Sequence, residues 1–228
     1  MGDNRKSIAL ICSVADWKKS LWVLSCNMSQ SELQAPIQIL QQAMQTIAGM
    51  DEEHFALSYD LWQHKAFSKN EYYNEYRHIC KHLGFILDGV FRTYYIDEKT
   101  GEDKNVFFFS QHQVVVSFQS FIKQAPCNYY TQSMTDSEVL YIHVNDLQDL
   151  YKKSHQWERV GRIIAEMAFS ISMQRTESFL FMKPEERYMQ LVTNHPAIFN
   201  SIPLYHISSY LGIQGPSLSR IRKRISGK

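Results

Sequence analysis

The sequence predicts an α+β protein: a β-barrel or jelly-roll region, then a long helix, then a C-terminal pair of short helices. Three observations predict it. From Glu71 to His143 the chain falls into short runs rich in β-branched and aromatic residues, separated by turn residues. From about His155 to Met182 runs one long helical pattern, with Trp157, Val160, Ile164, Met167 and Ile171 at 3-4-3-4 spacing. Near the end, two amphipathic segments are joined by a three-residue turn containing glycine, a helix-turn-helix candidate.

Composition narrows the class. With 228 residues the chain is long enough for one large or two modest domains. Its 44% hydrophobic and 21% charged residues exclude a disordered or membrane-spanning protein. A net charge of +1 excludes nonspecific coating of polyanions, so a nucleic-acid role needs a local patch. Cys12, Cys26, Cys80 and Cys127 show no CxxC spacing, which fits free thiols in the cytoplasm rather than a disulfide framework or zinc site. Val23-Leu24-Ser25-Cys26 loosely suggests a lipoprotein cleavage site, but Lys18 and Lys19 leave almost no apolar stretch before it, which argues against export.

In chain order, residues 1–30 form an extension of no assigned role, and Met28 offers an alternative start that the intact mass of the native protein would test. Leu33, Ile37, Leu40, Met44 and Ile47 make an amphipathic helix ended by Gly49. A second helix is expected from Asp51 to about Phe67. Leu83–Leu87 and Val90–Ile96 read as two strands of a hairpin around Asp88-Gly89. Further strands are expected at Val106–Phe109, Val114–Val116 and Val139–His143, and a short helix capped by Asn145 reaches Tyr151. The heptad rhythm of the long helix fits either a dimer seam or packing on the β region.

The terminal segment carries the chemistry. Pro203 fits the first turn of a helix whose stripe is Leu204, Ile207 and Leu211, and Gly212 stops it. A second helix begins at Gly215-Pro216, with Leu218, Ile221 and Ile225 facing inward. Ser219, Arg220 and Lys223 then face outward, and Ser217, Arg222 and Arg224 flank them. The last acidic residue is Glu186; Arg187, Arg220, Arg222, Lys223, Arg224 and Lys228 follow, a basic end on a near-neutral chain. Hydroxyls and cations on one face suit a helix in a DNA major groove. The competing reading is a helical hairpin with a solvated cationic face.

The Leu-Gly-Ile turn followed by Ser-Leu-Ser-Arg-Ile-Arg-Lys resembles the helix-turn-helix of the Crp/Fnr family of bacterial transcription regulators. Pro184-Glu185-Glu186-Arg187-Tyr188 is similar to the helix preceding that motif, and Phe85–Phe109 resembles the family's cyclic-nucleotide-binding β-roll. The resemblance spans about residues 31–226. It implies a β-roll (jelly-roll-like) sensor domain at 31–153, a dimerisation helix at 154–182 and a DNA-binding domain at 183–228. It also implies a homodimer joined along Trp157, Val160, Ile164, Met167 and Ile171, double-stranded DNA as partner, and contacts to RNA polymerase. Arg220 matches the family's base-contacting arginine. Ser219 and Lys223 join it in the groove, with Gln214, Ser217, Arg222 and Arg224 nearer phosphates. Gly215-Pro216 replaces the acidic residue many members carry, so a different target sequence is expected.

The pocket departs further. By alignment Ser117-Phe118 replaces the Gly-Glu pair and Asn128-Tyr129 the Arg-Ser pair that hold a cyclic nucleotide in the family. No cation lies between Lys123 and Lys152 to meet the phosphate, so tight cyclic AMP binding is not expected. Ser117, Phe118, Phe121, Asn128, Tyr129 and Tyr130 are left as the candidate effector pocket, its aromatics either lining a cavity for another small molecule or filling it as core. No cofactor is expected and the effector is unnamed. Haem or metal at His78, Cys80 and His82 is an alternative resting on strand alternation, without a further partner. No GxSxG, GxxxxGK[ST] or GxGxxG occurs, so no catalytic residue is assigned. The rival functions are a ligand-binding signalling protein whose DNA binding has degenerated, and a cupin-like metal enzyme.

Overall fold

The computed structural model describes residues 33–226, so the expectations for residues 1–30 and for Lys228 lie outside the described residues. Helix α1 (Gln34–Ala48) buries Ile37, Leu40 and Met44 and ends where Gly49, at φ 65°, turns left-handed and donates its N–H to the Gln45 carbonyl. Asp51 caps α2 (Glu52–Ala56) by accepting from the His54 N–H at 2.9 Å.

Eight strands follow: β1 (Gln63–Phe67), β2 (Tyr72–Asn74), β3 (His82–Asp88), β4 (Val90–Ile96), β5 (Asp103–Ser110), β6 (Val114–Val115), β7 (Tyr130–Ser133) and β8 (Ser137–His143). Helix α3 (Phe118–Lys123) lies between β6 and β7. The strands form two antiparallel sheets, β1-β8-β3-β6 and β2-β7-β4-β5. The structure differs from the expected elements at two places in this region. The helix begun at Asp51 stops at Ala56, because Gln63–Phe67 pairs in full register with β8. Asp88-Gly89 does not close a hairpin: β3 and β4 belong to different sheets, and Gly89 (φ 104°) turns the corner between them, where a Cβ would collide with Ser137.

Phe67, Ile86, Phe91, Val115 and Val139 fill the space between the sheets. Leu83, Phe85, Leu140 and Ile142 face the other way, into a core shared with α1, α2, α4 (Val144–Lys153) and α5 (His155–Phe181). A strand covered on both sides needs apolar residues at successive positions, which is why β3 reads as a continuous apolar run. His143, not Asn145, caps α4, its Nδ1 accepting from the Asn145 N–H at 3.2 Å.

The first turns of the long helix pack within the chain. Trp157 and Val160 are each 1% exposed, and the Trp157 indole N–H donates to the His54 carbonyl at 2.9 Å. Both are therefore consumed by the intramolecular core and are not free to line a seam between chains, a correction to the heptad reading. Ile164 is half-buried, whereas Met167 and Ile171 are exposed.

Four helices complete the fold: α6 (Pro184–Asn194), α7 (Pro196–Ser201), α8 (Leu204–Leu211) and α9 (Gly215–Ser226). Pro203 stands just before α8 rather than in its first turn. Tyr188, Leu191, Ile198, Ile202, Ile207, Leu211, Leu218 and Ile221 make one cluster, which also takes in Val90 and Met134 of the β-sandwich. The C-terminal helices are thus packed on the sheet that contains β4 and β5.

Candidate nucleic-acid interface

Helices α8 and α9 are joined by Gly212-Ile213-Gln214. Gly212 adopts φ 67°, and its N–H reaches the carbonyls of Ser208 and Ser209, satisfying the end of α8. A Cβ at this position would also lie 2.6 Å from the Phe179 ring of α5, so both conformation and space require glycine. In α9, Leu218 and Ile221 are buried and Ile225 packs against the same cluster. That orientation leaves Gln214, Ser219, Arg220 and Lys223 exposed on the far side.

The seven residues expected to meet DNA do not share one role. Arg220 stays on the open face, its Nη2 donating to Ser217 Oγ at 3.2 Å. Arg224 turns back to pair with Glu185 of α6. Arg222 lies 5.9 Å from the Phe199 ring of α7. Among the described residues the free cationic face of α9 therefore reduces to Arg220 and Lys223. Arg187 must also leave the basic surface: it is buried, with Nε 3.1 Å from the Leu211 carbonyl and Nη1 2.7 Å from that of Met182.

Arg187 has a companion that sequence reasoning missed. Arg175, on α5, donates to the Tyr210 carbonyl and lies 3.6 Å over the Tyr210 ring and 4.4 Å from the Phe179 ring. Two guanidinium groups thus sit on the last carbonyls of α8, the negative end of its dipole. They tie the helix before the turn to α5 and α6. The available signal was an arginine spaced among the apolar positions of a long helix.

The expected effector pocket is not assembled as one site. Ser117 is buried, its Oγ 3.3 Å from Thr131 Oγ1, whereas Asn128 is exposed. Tyr130 stacks on Tyr94, with ring centroids 5.2 Å apart, on the outer face of the second sheet. Phe118 and Phe121 turn away from it, because the short α3 directs them toward α4 and α5. There they line a cavity of about 310 Å³ with Leu83, Tyr151, Gly161 and Ile164. Burial pushes the Tyr151 hydroxyl up to about 12.

The alternative metal site is not formed either. His78 and Cys80 precede β3, which begins at His82, so strand alternation does not align the three. His82 instead faces His143 across the β3–β8 pair, ring centroids 5.2 Å apart. Among the described residues no group of three or more His, Cys, Asp or Glu is placed to hold a metal ion, and no helix is long and apolar enough to cross a membrane.

No protein-family model and no curated protein sequence matches the chain. Solved structures do. FixK2 of Bradyrhizobium japonicum superposes with a TM-score of 0.62 at 12% identity, over 73% of this chain and 85% of its own. CLP, the c-di-GMP-responsive global regulator of Xanthomonas campestris, gives 0.58 at 11% identity, over 78% and 92%. A Eubacterium rectale protein assigned to the Crp/Fnr family of transcriptional regulators gives 0.59 at 14% identity, over 78% and 86%. The likeness runs over most of each chain and shows that this protein has the Crp/Fnr fold.

Proposed function

We propose that the chain is a homodimeric, sequence-specific DNA-binding regulator of transcription, with α9 as the helix that enters the major groove. One observation carries this reading: within a Crp/Fnr fold, α9 buries Leu218 and Ile221 and presents Ser219, Arg220 and Lys223 to solvent, with no acidic side chain on that face among the described residues. Gln214, at the end of the turn, stands beside them. Ser217 orients Arg220, while Arg222 stands at the flank and Arg224 would contribute charge there only on leaving Glu185. The exposed stripe through Met167 and Ile171, continued by half-buried Ile164, supports a second copy along α5. As in regulators of this fold, RNA polymerase is the further macromolecular partner.

The sensor region supports a departure from cyclic AMP. With Ser117 already bonded to Thr131 and Asn128 in solvent, the residues at the family's phosphate-binding positions offer no buried cation. The test of the DNA reading is fluorescence anisotropy on a selected operator and on random duplex. Arg220→Ala is expected to cost ~1–3 kcal/mol on the operator and little on random DNA, and Lys223→Ala to lower the salt slope by about one. Equal loss on both duplexes with Arg220→Ala would contradict the assignment.

A further inference from the structure

The boundary between the helix-turn-helix and the β-sandwich is joined by polar groups as well as apolar ones. Among the described residues strand β5 is the edge of its sheet, and its outward backbone groups have no strand partner there. Ser209 of α8 supplies one: its Oγ accepts from the Asn105 N–H at 3.0 Å and donates to the Asp103 carbonyl at 2.8 Å. One turn earlier on the same face, His206 Nδ1 lies 2.9 Å from Arg92 Nη1. Arginine only donates, so His206 accepts there as a neutral ring with its proton on Nε2.

Arg92 is itself fixed from the sandwich side. Nη1 pairs with Asp103 at 2.8 Å, and Nε and Nη2 both donate to Gln132 Oε1, at 3.1 and 2.8 Å. Its guanidinium lies 3.8 Å over the Tyr94 ring. Arg92 is 5% and His206 3% exposed. The adjoining apolar contact, Phe108 against Tyr210 at 4.9 Å between centroids, tolerates sliding. The polar set does not: a rotation of α8 that kept the boundary dry would leave a guanidinium donor, an imidazole and two edge-strand groups unpaired.

We propose that Arg92, His206 and Ser209 form a latch that holds the helix-turn-helix on the β-sandwich in one register. The sandwich then sets the direction in which α9 presents Arg220 and Lys223, and the α5–α6 connection does not set it alone. Arg92, His206 and Ser209 are positioning residues. Their consequence for DNA rests on the function proposed above; their structural role does not.

The experiment compares full-length protein with His206→Phe, which keeps an aromatic ring but removes the acceptor, and with the milder Ser209→Ala, which removes one hydroxyl. Hydrogen exchange followed by mass spectrometry should show peptides from β5 and α8 exchanging about tenfold faster in both variants, with β3 and β8 unchanged. Unchanged exchange in β5 and α8 would overturn the latch. In the second arm, affinity for a duplex with two half-sites should fall about tenfold while a single half-site duplex is bound as before. An equal fall on both duplexes, or a gain on the paired one, would overturn the positioning role. Faster exchange in the variants of a wild-type protein that binds neither duplex would support the latch and refute the DNA reading.

Discussion

Arginines do two opposite jobs here, and their surroundings decide which. Arg92, Arg175 and Arg187 are withdrawn from water and hold carbonyls, rings and one histidine, while Arg220 stands in solvent beside Ser217. The basic C-terminal end was legible as a count of charges, but not the direction of each side chain, because the partners of Arg175 and Arg187 are main-chain carbonyls that any residue carries. Arg92 left a readable trace, a cation within an apolar strand, which must find buried partners. Its neighbour gives a pH test. Burial, and then the Arg92 charge, lower His206 from the ordinary 6.5 to about 4, against the smaller opposing effect of Asp103. Between those values the unfolded chain binds a proton that the folded chain refuses, so this contribution to stability is complete above about pH 6.5 and is lost as pH falls toward 4. Urea unfolding at pH 7.5 and pH 5 should show a smaller pH difference in His206→Gln than in wild type; an identical difference would remove His206 as the cause.

The elements read most faithfully are those defined by local periodicity. The long helix, the first helix and the pair α8–α9 follow from apolar spacing and from Gly49 and Gly212, with ends within a residue or two. Strands with an apolar run of their own, such as β3, β4 and β8, were legible as well; a strand without one, and the pairing of strands into sheets, were not. β1 has the sequence Gln-His-Lys-Ala-Phe with only Phe67 buried, and it becomes a strand because β8 supplies the ladder. Asp88-Gly89 marks a sharp turn in any context, and only the partition of β3 and β4 into different sheets makes it a corner. Gly212 is the element-scale test. Gly212→Ala forces a Cβ onto a left-handed residue 2.6 Å from Phe179 and should destabilise the protein by ~1–3 kcal/mol. Gly215→Ala, where a Cβ meets nothing within 4 Å, should stay within about 0.5 kcal/mol of wild type. Equal loss in chemical denaturation would refute the tight turn.

For the whole molecule, the long helix divides its labour along its length. Its first turns complete the core through Trp157 and Val160, and its middle carries the exposed stripe through Met167 and Ile171. The sequence pattern shows one heptad rhythm across both parts, because periodicity records which residues are buried and not against which chain. Two kinds of variant separate them. Met167→Glu with Ile171→Glu should yield a folded monomer in sedimentation, whereas Trp157→Ala should cost ~3–5 kcal/mol of protomer stability. A dimer surviving both glutamates would place the seam elsewhere. The candidate pocket was the least legible feature, since its residues separate onto two surfaces once α3 and β7 take their places. The proposed function requires a symmetric pair of α9 helices to read a sequence. Selection of bound duplexes from a random pool by the full-length protein, at two salt concentrations, is the measurement to make. A palindromic consensus whose half-sites are about one helical turn apart, ~34 Å, should be enriched at both salts. Binding that enriches no sequence and disappears at moderate salt would contradict the proposed function.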